Sequence, residues 1–177
     1  MKFNKTELKD AVIIELGRLE DSRGFFARAY CDKEFEAQGL NTEWVQCNTA
    51  YNNTKGILRG MHFQSAPDAE VKLVRCTRGA IFDVILDLRV NSPSFKKWLG
   101  VELTADNHRM LYVPKGFAHG YLTLEANSEI YYQVSNPYSP SAEGGVRWND
   151  PAFNIDWPIK EGLLISEKDA ALPDYKL

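Results

Sequence analysis

The stretch VKLVRCTRGAIFDVILDLR, residues 71–89, decides the fold because it carries the clearest side-chain periodicity in the 177-residue chain. Apolar residues recur at every second position over Phe82–Leu88, and two aspartates, Asp83 and Asp87, fall on the other face. Successive side chains of a β-strand point to opposite faces, so this pattern predicts a half-buried strand. Arg78-Gly79 predicts a turn between this strand and its neighbour VKLVRCT.

Short β-type segments lie on both sides of this stretch. They are Val12–Leu16, Phe25–Tyr30, WVQCNTAY at 44–51, ILRGMHFQ at 57–64, Trp98–Leu103, Met110–Val113, Phe117–Leu124 and Ile130–Ser135. A helix is predicted at Asp32–Gln38, with Asp32 at its cap and Gly39 as its stop, and a second short helix before Pro173. Many short strands with little helix predict a single all-β domain, residues 1–177, built as an antiparallel β-barrel or jelly roll.

The composition is that of an ordinary globular protein and disfavours several functional classes. Apolar residues make up 44% of the chain and charged residues 25%, with a formal net charge of -3 and a pI of about 5.7. This slightly negative net charge argues against electrostatic binding of nucleic acid. No apolar stretch reaches the length of a membrane span, and the amino terminus lacks the apolar core of a signal peptide. Three widely spaced cysteines form no zinc-ligand or disulfide pattern, so we expect a cytoplasmic protein.

Two of the three histidines are placed where they could take part in chemistry. His62 lies in an apolar segment, where it is either a general base, because its pKa lies near neutrality, or a hydrogen-bonded core residue. His119 follows the turn Pro114-x-Gly116, a pattern that forms the second half of the cupin-barrel signature. Metal-binding cupins have a His-x-His pair in the first half, but here Gln64 takes the second position. Because too few imidazoles are present for three or four converging ligands, we predict no metal.

Lys72, Tyr132 and Asp169 each have a structural and a chemical interpretation. A strand lysine is usually a solvated edge residue, and a strand tyrosine usually packs in the core with its hydroxyl group in water. Tyr132 shares its face with apolar residues two positions away on each side, so its phenol either packs or acts as a positioned proton donor. Ser166-Glu-Lys-Asp169 has the spacing of a capping box, which favours a helix-capping role for Asp169.

Motifs along most of the chain resemble those of the dTDP-4-dehydrorhamnose 3,5-epimerase family of nucleotide-sugar enzymes. They are DSRGFF at 21–26, QCN at 46–48, LRGMHFQ at 58–64, EVKLVRC at 70–76, VPKGFAHG at 113–120, YYQVSNPYSPSAEGG at 131–145, WNDP at 148–151 and SEKD at 166–169. So many matches in one order are more specific than any single motif. The resemblance implies a cupin-type fold and an isomerase that inverts C3, C5 or both in a nucleotide-linked 4-keto-6-deoxy sugar, for deoxysugar biosynthesis.

Carried over residue by residue, the resemblance implies a role for each of the polar groups. His62 would be the base, held and polarised by Asp169. Tyr132 would be the acid on the opposite side of the sugar, and Lys72 would stabilise the enolate oxygen. Tyr138 would stack on the nucleotide base. The positions that would bind the nucleotide sugar are Arg23, Gln46, Asn48, Arg59, His119, Tyr138, Glu143 and Lys168.

The chemistry of a 4-keto sugar suits these residue types. The protons on C3 and C5 both lie next to the ketone, so a base can remove them while negative charge gathers on the keto oxygen. A cation fixed at that oxygen stabilises the transition state more than the ground state. Return of the proton from the other face inverts the carbon, so a base and an acid must flank the ring. Proton transfer by His62 and Tyr132 would need no redox cofactor, so we predict no other cofactor.

Two positions depart from a simple match. The family usually has a glutamate where this chain has Arg28, which reverses the local charge and could change the nucleotide, the sugar or the number of centres inverted. Strict alternation would also place Arg59 and His62 on opposite faces of one strand. We therefore predict a bulge at Gly60 that lets both side chains reach one site.

Other functions are compatible with the same residues. A related enzyme could move the keto group between C3 and C4, or invert a single centre of a dTDP-, CDP- or GDP-linked sugar. A metal-dependent cupin oxygenase and a non-catalytic sugar-binding barrel are further alternatives. The family also implies a homodimer in which an amino-terminal strand, here Arg23–Tyr30, completes the sheet of the neighbour and supplies part of its site.

Overall fold

Two antiparallel β-sheets face each other in the computed structural model, which describes residues 1–176. The strands are β1 Lys2–Lys5, β2 Val12–Glu15, β3 Arg18–Asp21, β4 Gly24–Ala27, β5 Gln46–Asn52, β6 Ile57–Gln64, β7 Lys72–Arg78, β8 Ala80–Asp87, β9 Trp98–Thr104, β10 Met110–Val113, β11 Phe117–Thr123, β12 Ser128–Val134, β13 Glu143–Gly145 and β14 Leu164–Ile165. Two short helices, α1 Asp32–Glu36 and α2 Glu167–Ala170, complete the elements of the described chain.

Strands that follow one another in the sequence, such as β7 and β8, can lie in different sheets. The first sheet runs β1-β2-β10-β7-β12-β5, and the second runs β13-β6-β11-β8-β9 with β14 beside β6. The main core lies between them and is formed by buried apolar side chains of both, among them Val74 and Ile130 of the first sheet and Ile85 and Tyr121 of the second. Burial of this apolar surface is the main force that holds the two sheets together.

Each sheet is also covered on its outer face. Phe35 of α1 packs against Ile14 and Leu73 on the first sheet. Phe153 and Trp157, in the irregular segment near the carboxyl terminus, pack against the outer face of the second sheet. The strands β7 and β8 therefore have apolar neighbours on both faces, which is why the central part of the sequence is so rich in valine, leucine and isoleucine.

The predicted fold class is confirmed: the chain is nearly all β and has a cupin-type jelly-roll architecture. Within residues 1–176 the two sheets do not close into one barrel. Two finer predictions are wrong. Arg78-Gly79 joins strands of opposite sheets, so β7 and β8 do not pair. The strand β8 is buried on both faces, since Asp83 and Asp87 are inaccessible. Arg89, Ser92 and Ser94 donate to the carboxylate of Asp87, and His119 pairs with one oxygen of Asp83.

The two helices lie where they were predicted but are shorter. The cap of α1 is Cys31 rather than Asp32, whose carboxylate accepts a hydrogen bond from the Lys33 N–H inside the first turn. The chain leaves this helix through Gly39, which has a φ of +68°. The predicted strand over Phe25–Tyr30 is also shorter, because β4 ends at Ala27.

The predicted bulge in β6 is confirmed. His62 pairs with His119 and Arg59 with Tyr121, so three steps along β6 match two steps along β11. Gly60 takes up the extra residue with a φ of +122°. A Cβ atom there would lie only 2.5 Å from the Gly120 Cα, so glycine is required both by the backbone conformation and by the close approach of β11.

We predict that Gly60→Ala destabilises the protein by about 2 to 4 kcal/mol, because the new methyl group adds a steric overlap to a backbone conformation that disfavours L-residues. Thermal unfolding followed by circular dichroism measures the loss. Gly17→Ala is the matched control, since a Cβ at Gly17 meets no atom within 4 Å. Equal melting temperatures for the two variants would contradict the packing constraint.

Candidate active site

A groove enters the space between the two sheets, and side chains from both sheets line it. It consists of two adjoining depressions with volumes of about 200 and 340 Å³. His62, Lys72 and Tyr132 line both depressions, so they belong to one continuous wall. The histidine comes from the second sheet and the other two from the first, so face-to-face packing of the sheets brings the three groups together.

Strand alternation explains why Lys72 and Tyr132 point inward. Val71 and Leu73 pack on the outer face of the first sheet, which turns Lys72 between them to the inner face. Tyr132 packs against the core between the sheets, in line with its predicted face, and it pairs with Val74 of β7. Register along neighbouring strands thus fixes the ammonium and the phenol on the same wall.

His62 forms a hydrogen-bonded pair with Asp169. Its Nε2 lies 2.7 Å from Asp169 Oδ1. Because the carboxylate accepts this bond, Nε2 carries the proton and Nδ1 is left as the basic nitrogen. Burial lowers the pKa of His62 below its ordinary value, and the effect outweighs the opposing influence of Asp169; Lys72 lowers it further. The imidazole is consequently neutral at pH 7, the form that can accept a proton.

Asp169 combines the two roles that the sequence left open. Its backbone N–H donates to Ser166 Oγ at 3.1 Å, which is the capping bond that the Ser-x-x-Asp spacing predicts. The side chain does not return to the cap; its other oxygen accepts a hydrogen bond from Gly60 N at 3.2 Å. The short helix α2 therefore positions the backbone, and the carboxylate is free to hold the imidazole and the bulge of β6.

Tyr132 has the protonation state expected of an acid. Burial raises the pKa of its phenol, and Glu70 adds to this effect, whereas Arg59 opposes it. The phenol therefore stays protonated through neutral pH. It lies in the groove wall formed by the sheet that faces His62.

Lys72 is paired with a residue that the sequence reasoning did not single out. Its Nζ lies 3.2 Å from Oε1 of Glu70, and the two side chains are only 14% and 8% exposed. Glu70 precedes Lys72 by two positions, so strand alternation gives both the same face. That spacing was the available signal for Glu70, because an acidic residue two places before an inward lysine is directed to the same cavity.

Four of the predicted nucleotide-sugar residues form the outer part of the groove. Gln46 Oε1 accepts a hydrogen bond from the Tyr138 N–H at 3.1 Å, and the Tyr138 hydroxyl donates to Glu143 Oε2 at 2.8 Å. Lys168 Nζ donates to both oxygens of Glu143. This ion pair holds the pKa of Glu143 below its ordinary value. Tyr138 is 59% exposed, so its ring is open to a ligand that enters the groove.

The remaining predicted residues fall into two groups. Arg59, Asn48 and His119 line the groove with those described above. Arg59 Nε donates to Asn52 Oδ1, and His119 Nε2 lies 2.8 Å from Asp83 Oδ1. Arg23 lies outside the groove of its own chain.

Arg23 occupies the tip of the exposed β3–β4 ribbon. Its guanidinium is 88% exposed and pairs with Asp21 of the same ribbon. Arg28, where the family usually has a glutamate, is also exposed and pairs with Glu34. The groove of one chain is thus lined by eleven of the twelve predicted residues, and the twelfth, Arg23, is not among the residues that line it.

Gln64 stands where the metal-binding pattern has its second histidine, and its side-chain amide makes three hydrogen bonds to backbone groups. Its Nε2 donates to the carbonyls of Asp68 and Pro137, and its Oε1 accepts from the Ser139 N–H. It therefore braces the two loops that border the groove. Within residues 1–176, no three His, Cys, Asp or Glu side chains gather in a way that could hold a metal ion. Neither helix of these residues has the length and apolar character needed to cross a bilayer.

Comparison with known proteins finds relatives along nearly the whole chain. The family profile of dTDP-4-dehydrorhamnose 3,5-epimerase matches residues 5–176. The enzyme of that name from Shigella flexneri is 46% identical over 170 residues, covering 96% of this chain and 93% of the relative. The crystal structure of the Elizabethkingia anophelis enzyme superposes with a TM-score of 0.96 at 44% identity, covering 99% of this chain and 96% of the other. A Legionella pneumophila epimerase in complex with dTDP-4-keto-L-rhamnose gives a TM-score of 0.91 at 37% identity, covering 98% and 92%.

A cupin-type sandwich with an imidazole, a phenol and an ammonium group around one internal groove, matched along its length by epimerases, defines the class of this protein as a sugar isomerase. The chain belongs to the dTDP-4-dehydrorhamnose 3,5-epimerase family.

We predict that Asp169→Asn lowers the pKa of His62 further, because the carboxylate that stabilises the imidazolium is lost while the burial remains. An NMR titration of the histidine ring protons measures this shift directly. His108 is the internal control, since its pKa should be the same in both proteins. A rise in the pKa of His62 would contradict the contribution assigned to Asp169.

Proposed function

We propose that the protein inverts C3 and C5 of a dTDP-linked 4-keto-6-deoxy sugar. The observation that carries this proposal is the shared groove lined by His62, Lys72 and Tyr132 from opposing sheets. The family membership supports the same substrate class, because the Legionella relative was crystallised with dTDP-4-keto-L-rhamnose.

In this proposal His62 removes the proton next to the ketone. Its neutral state at pH 7 and its hydrogen bond to Asp169 leave Nδ1 available as the base. The imidazolium that forms is stabilised by the Asp169 carboxylate at 2.7 Å. The pair also keeps the ring in one tautomer and orientation, so that little reorganisation is needed when the proton moves.

Lys72 stabilises the enolate that results. Its ammonium group faces the groove beside the other two residues, and negative charge gathers on the keto oxygen only as the C–H bond breaks. A fixed positive charge at that oxygen therefore lowers the barrier more than it strengthens binding of the substrate.

Tyr132 delivers the new proton from the opposite face of the ring. Its raised pKa keeps the phenol protonated, and its strand lies in the sheet that faces His62. Removal on one face and return on the other inverts the carbon. The same arrangement serves C3 and C5 if the sugar can present each carbon to the pair in turn.

The outer groove binds the nucleotide in this proposal. Tyr138 is exposed enough to stack on the base, and it is held through Gln46 and Glu143. Arg59 and Lys168 contribute positive charge, and an arginine fork can bond a phosphate through two parallel hydrogen bonds.

We propose a homodimer in which the β3–β4 ribbon crosses to the neighbour. The ribbon exposes Leu19 and Phe26 at 71% and 68%, although apolar side chains of this size normally find a partner surface. Arg23 at its tip would then reach the groove of the partner and complete the set of predicted residues.

We further propose that residues 1–177 act as one epimerase domain in the cytoplasm. The family match across residues 5–176 supports a single unit. Cys31, Cys47 and Cys76 are free thiols, which is typical of a reducing compartment.

The direct test is incubation in D2O with dTDP-4-keto-6-deoxyglucose. We expect deuterium at both C3 and C5 by mass and proton spectra. Deuterium at one centre would instead establish a single-centre epimerase, and no uptake with dTDP-, CDP- or GDP-linked forms would rule out epimerisation.

His62→Ala should lower exchange at least about 10³-fold. Tyr132→Phe should slow inversion but leave washout of the substrate proton, because abstraction does not need the acid; inversion at the normal rate would disprove its role.

Mixed dimers test the ribbon exchange. Arg23→Ala and His62→Ala proteins are each expected to have low activity. If Arg23 acts on the partner, a mixed dimer of the two has one site with both lesions and one site with neither, so activity returns. If Arg23 acts in its own chain, both sites carry a lesion and activity stays low. A fully active monomer at micromolar concentration would also disprove the exchange.

A further inference from the structure

Glu70 has a carboxylate oxygen that the protein leaves without a partner inside the groove. Its Oε1 contacts Lys72 Nζ at 3.2 Å. Its Oε2 is inaccessible and has no hydrogen-bond partner among the described residues. The side chain lines the depression that also contains His62 and Tyr132.

The backbone holds Glu70 firmly in this place. The next residue, Val71, donates its N–H to Ser135 Oγ at 2.8 Å and accepts a hydrogen bond from the Ser135 N–H at 3.0 Å. The Val71 side chain is buried on the opposite face of the sheet. Both contacts fix the backbone immediately before β7, between Glu70 and Lys72, and so restrict the direction of the Glu70 side chain.

An unpartnered carboxylate oxygen is costly in a buried position unless a ligand completes it. The other two carboxylates of the groove are already occupied: Asp169 accepts from His62 and Gly60, and Glu143 accepts from Tyr138 and Lys168. Glu70 is therefore the carboxylate of the groove wall, within the described chain, that keeps an unused acceptor, and a turn of its side chain is needed to present the inaccessible Oε2 to a bound sugar.

We propose that Glu70 determines substrate specificity by accepting a hydrogen bond from the hydroxyl group on C3. This inference rests on the proposed function, which places the C4 oxygen at Lys72. Oxygens on adjacent ring carbons lie about as close together as two hydrogen-bonded atoms. When the Lys72 ammonium contacts the C4 oxygen, the Glu70 carboxylate that is paired with it therefore lies close to a hydroxyl group on the adjacent ring carbon. C3 carries such a hydroxyl, whereas the other neighbour, C5, carries a methyl group.

Binding of unreactive ligands tests the contact apart from catalysis. We would use dTDP-6-deoxyglucose, whose C4 hydroxyl replaces the ketone and removes the acidic protons, and its 3-deoxy and 2-deoxy derivatives. Calorimetry should show that loss of the C3 hydroxyl weakens binding at least about tenfold, since a hydrogen bond to a charged acceptor is lost. Loss of the C2 hydroxyl should change the dissociation constant by less than about threefold.

Two variants assign the effect to Glu70. In Glu70→Gln the penalty for the 3-deoxy ligand should fall below about threefold, because the charged acceptor is gone. Glu102→Gln, an exposed position on β9, should keep the full penalty. Circular dichroism checks that both variants fold; if Glu70→Gln does not, comparison of the 3-deoxy and 2-deoxy ligands in the unaltered protein still decides.

Equal binding of the parent and 3-deoxy ligands by the unaltered protein would overturn the proposal, since the C3 hydroxyl would then make no hydrogen bond that contributes to binding. A penalty that persists in Glu70→Gln would overturn it as well, because another group would be reading the hydroxyl. Failure of the proposed function is a separate result: the keto substrate would take up no deuterium, whatever these dissociation constants are.

Discussion

The site depends on one carboxylate that holds two groups of the same strand. Asp169 accepts hydrogen bonds from the imidazole of His62 and from the backbone N–H of Gly60. The second bond secures the bulge that turns His62 and Arg59 into one groove, and the first orients the imidazole. Because Asp169 belongs to a short helix near the carboxyl terminus, the chain must be almost completely folded before the imidazole is held in place.

In the groove, burial and charge pairing determine the protonation states of the polar side chains. Burial lowers the pKa of His62 and raises that of Tyr132, so both side chains are neutral at pH 7. Proton transfer between carbon and a neutral base or acid needs this combination. The ammonium of Lys72 is balanced by Glu70, which limits the cost of keeping a charge in a largely buried wall.

Much of the fold could be predicted from residue patterns, because each of these patterns is typical of one kind of local backbone structure. Alternation located most of the strands, and the Ser-x-x-Asp spacing located the cap of α2. The same reasoning failed for β8, where Asp83 and Asp87 suggested a polar face. Both carboxylates are buried and paired with side chains from outside the strand, His119 for Asp83 and Ser94 for Asp87, and the sequence of a single strand does not indicate those partners.

The sequence by itself determined an all-β chain, the inward face of Tyr132, and the need for a bulge at Gly60. These features follow from backbone sterics and from the two-residue period of a strand, which are local. Only the tertiary structure decided that β7 and β8 belong to opposite sheets, that the Asp169 carboxylate holds His62 rather than the helix cap, and that one oxygen of Glu70 has no partner. Those outcomes depend on which segments, distant in the sequence, come into contact in the fold. Burial of the whole apolar core determines these contacts.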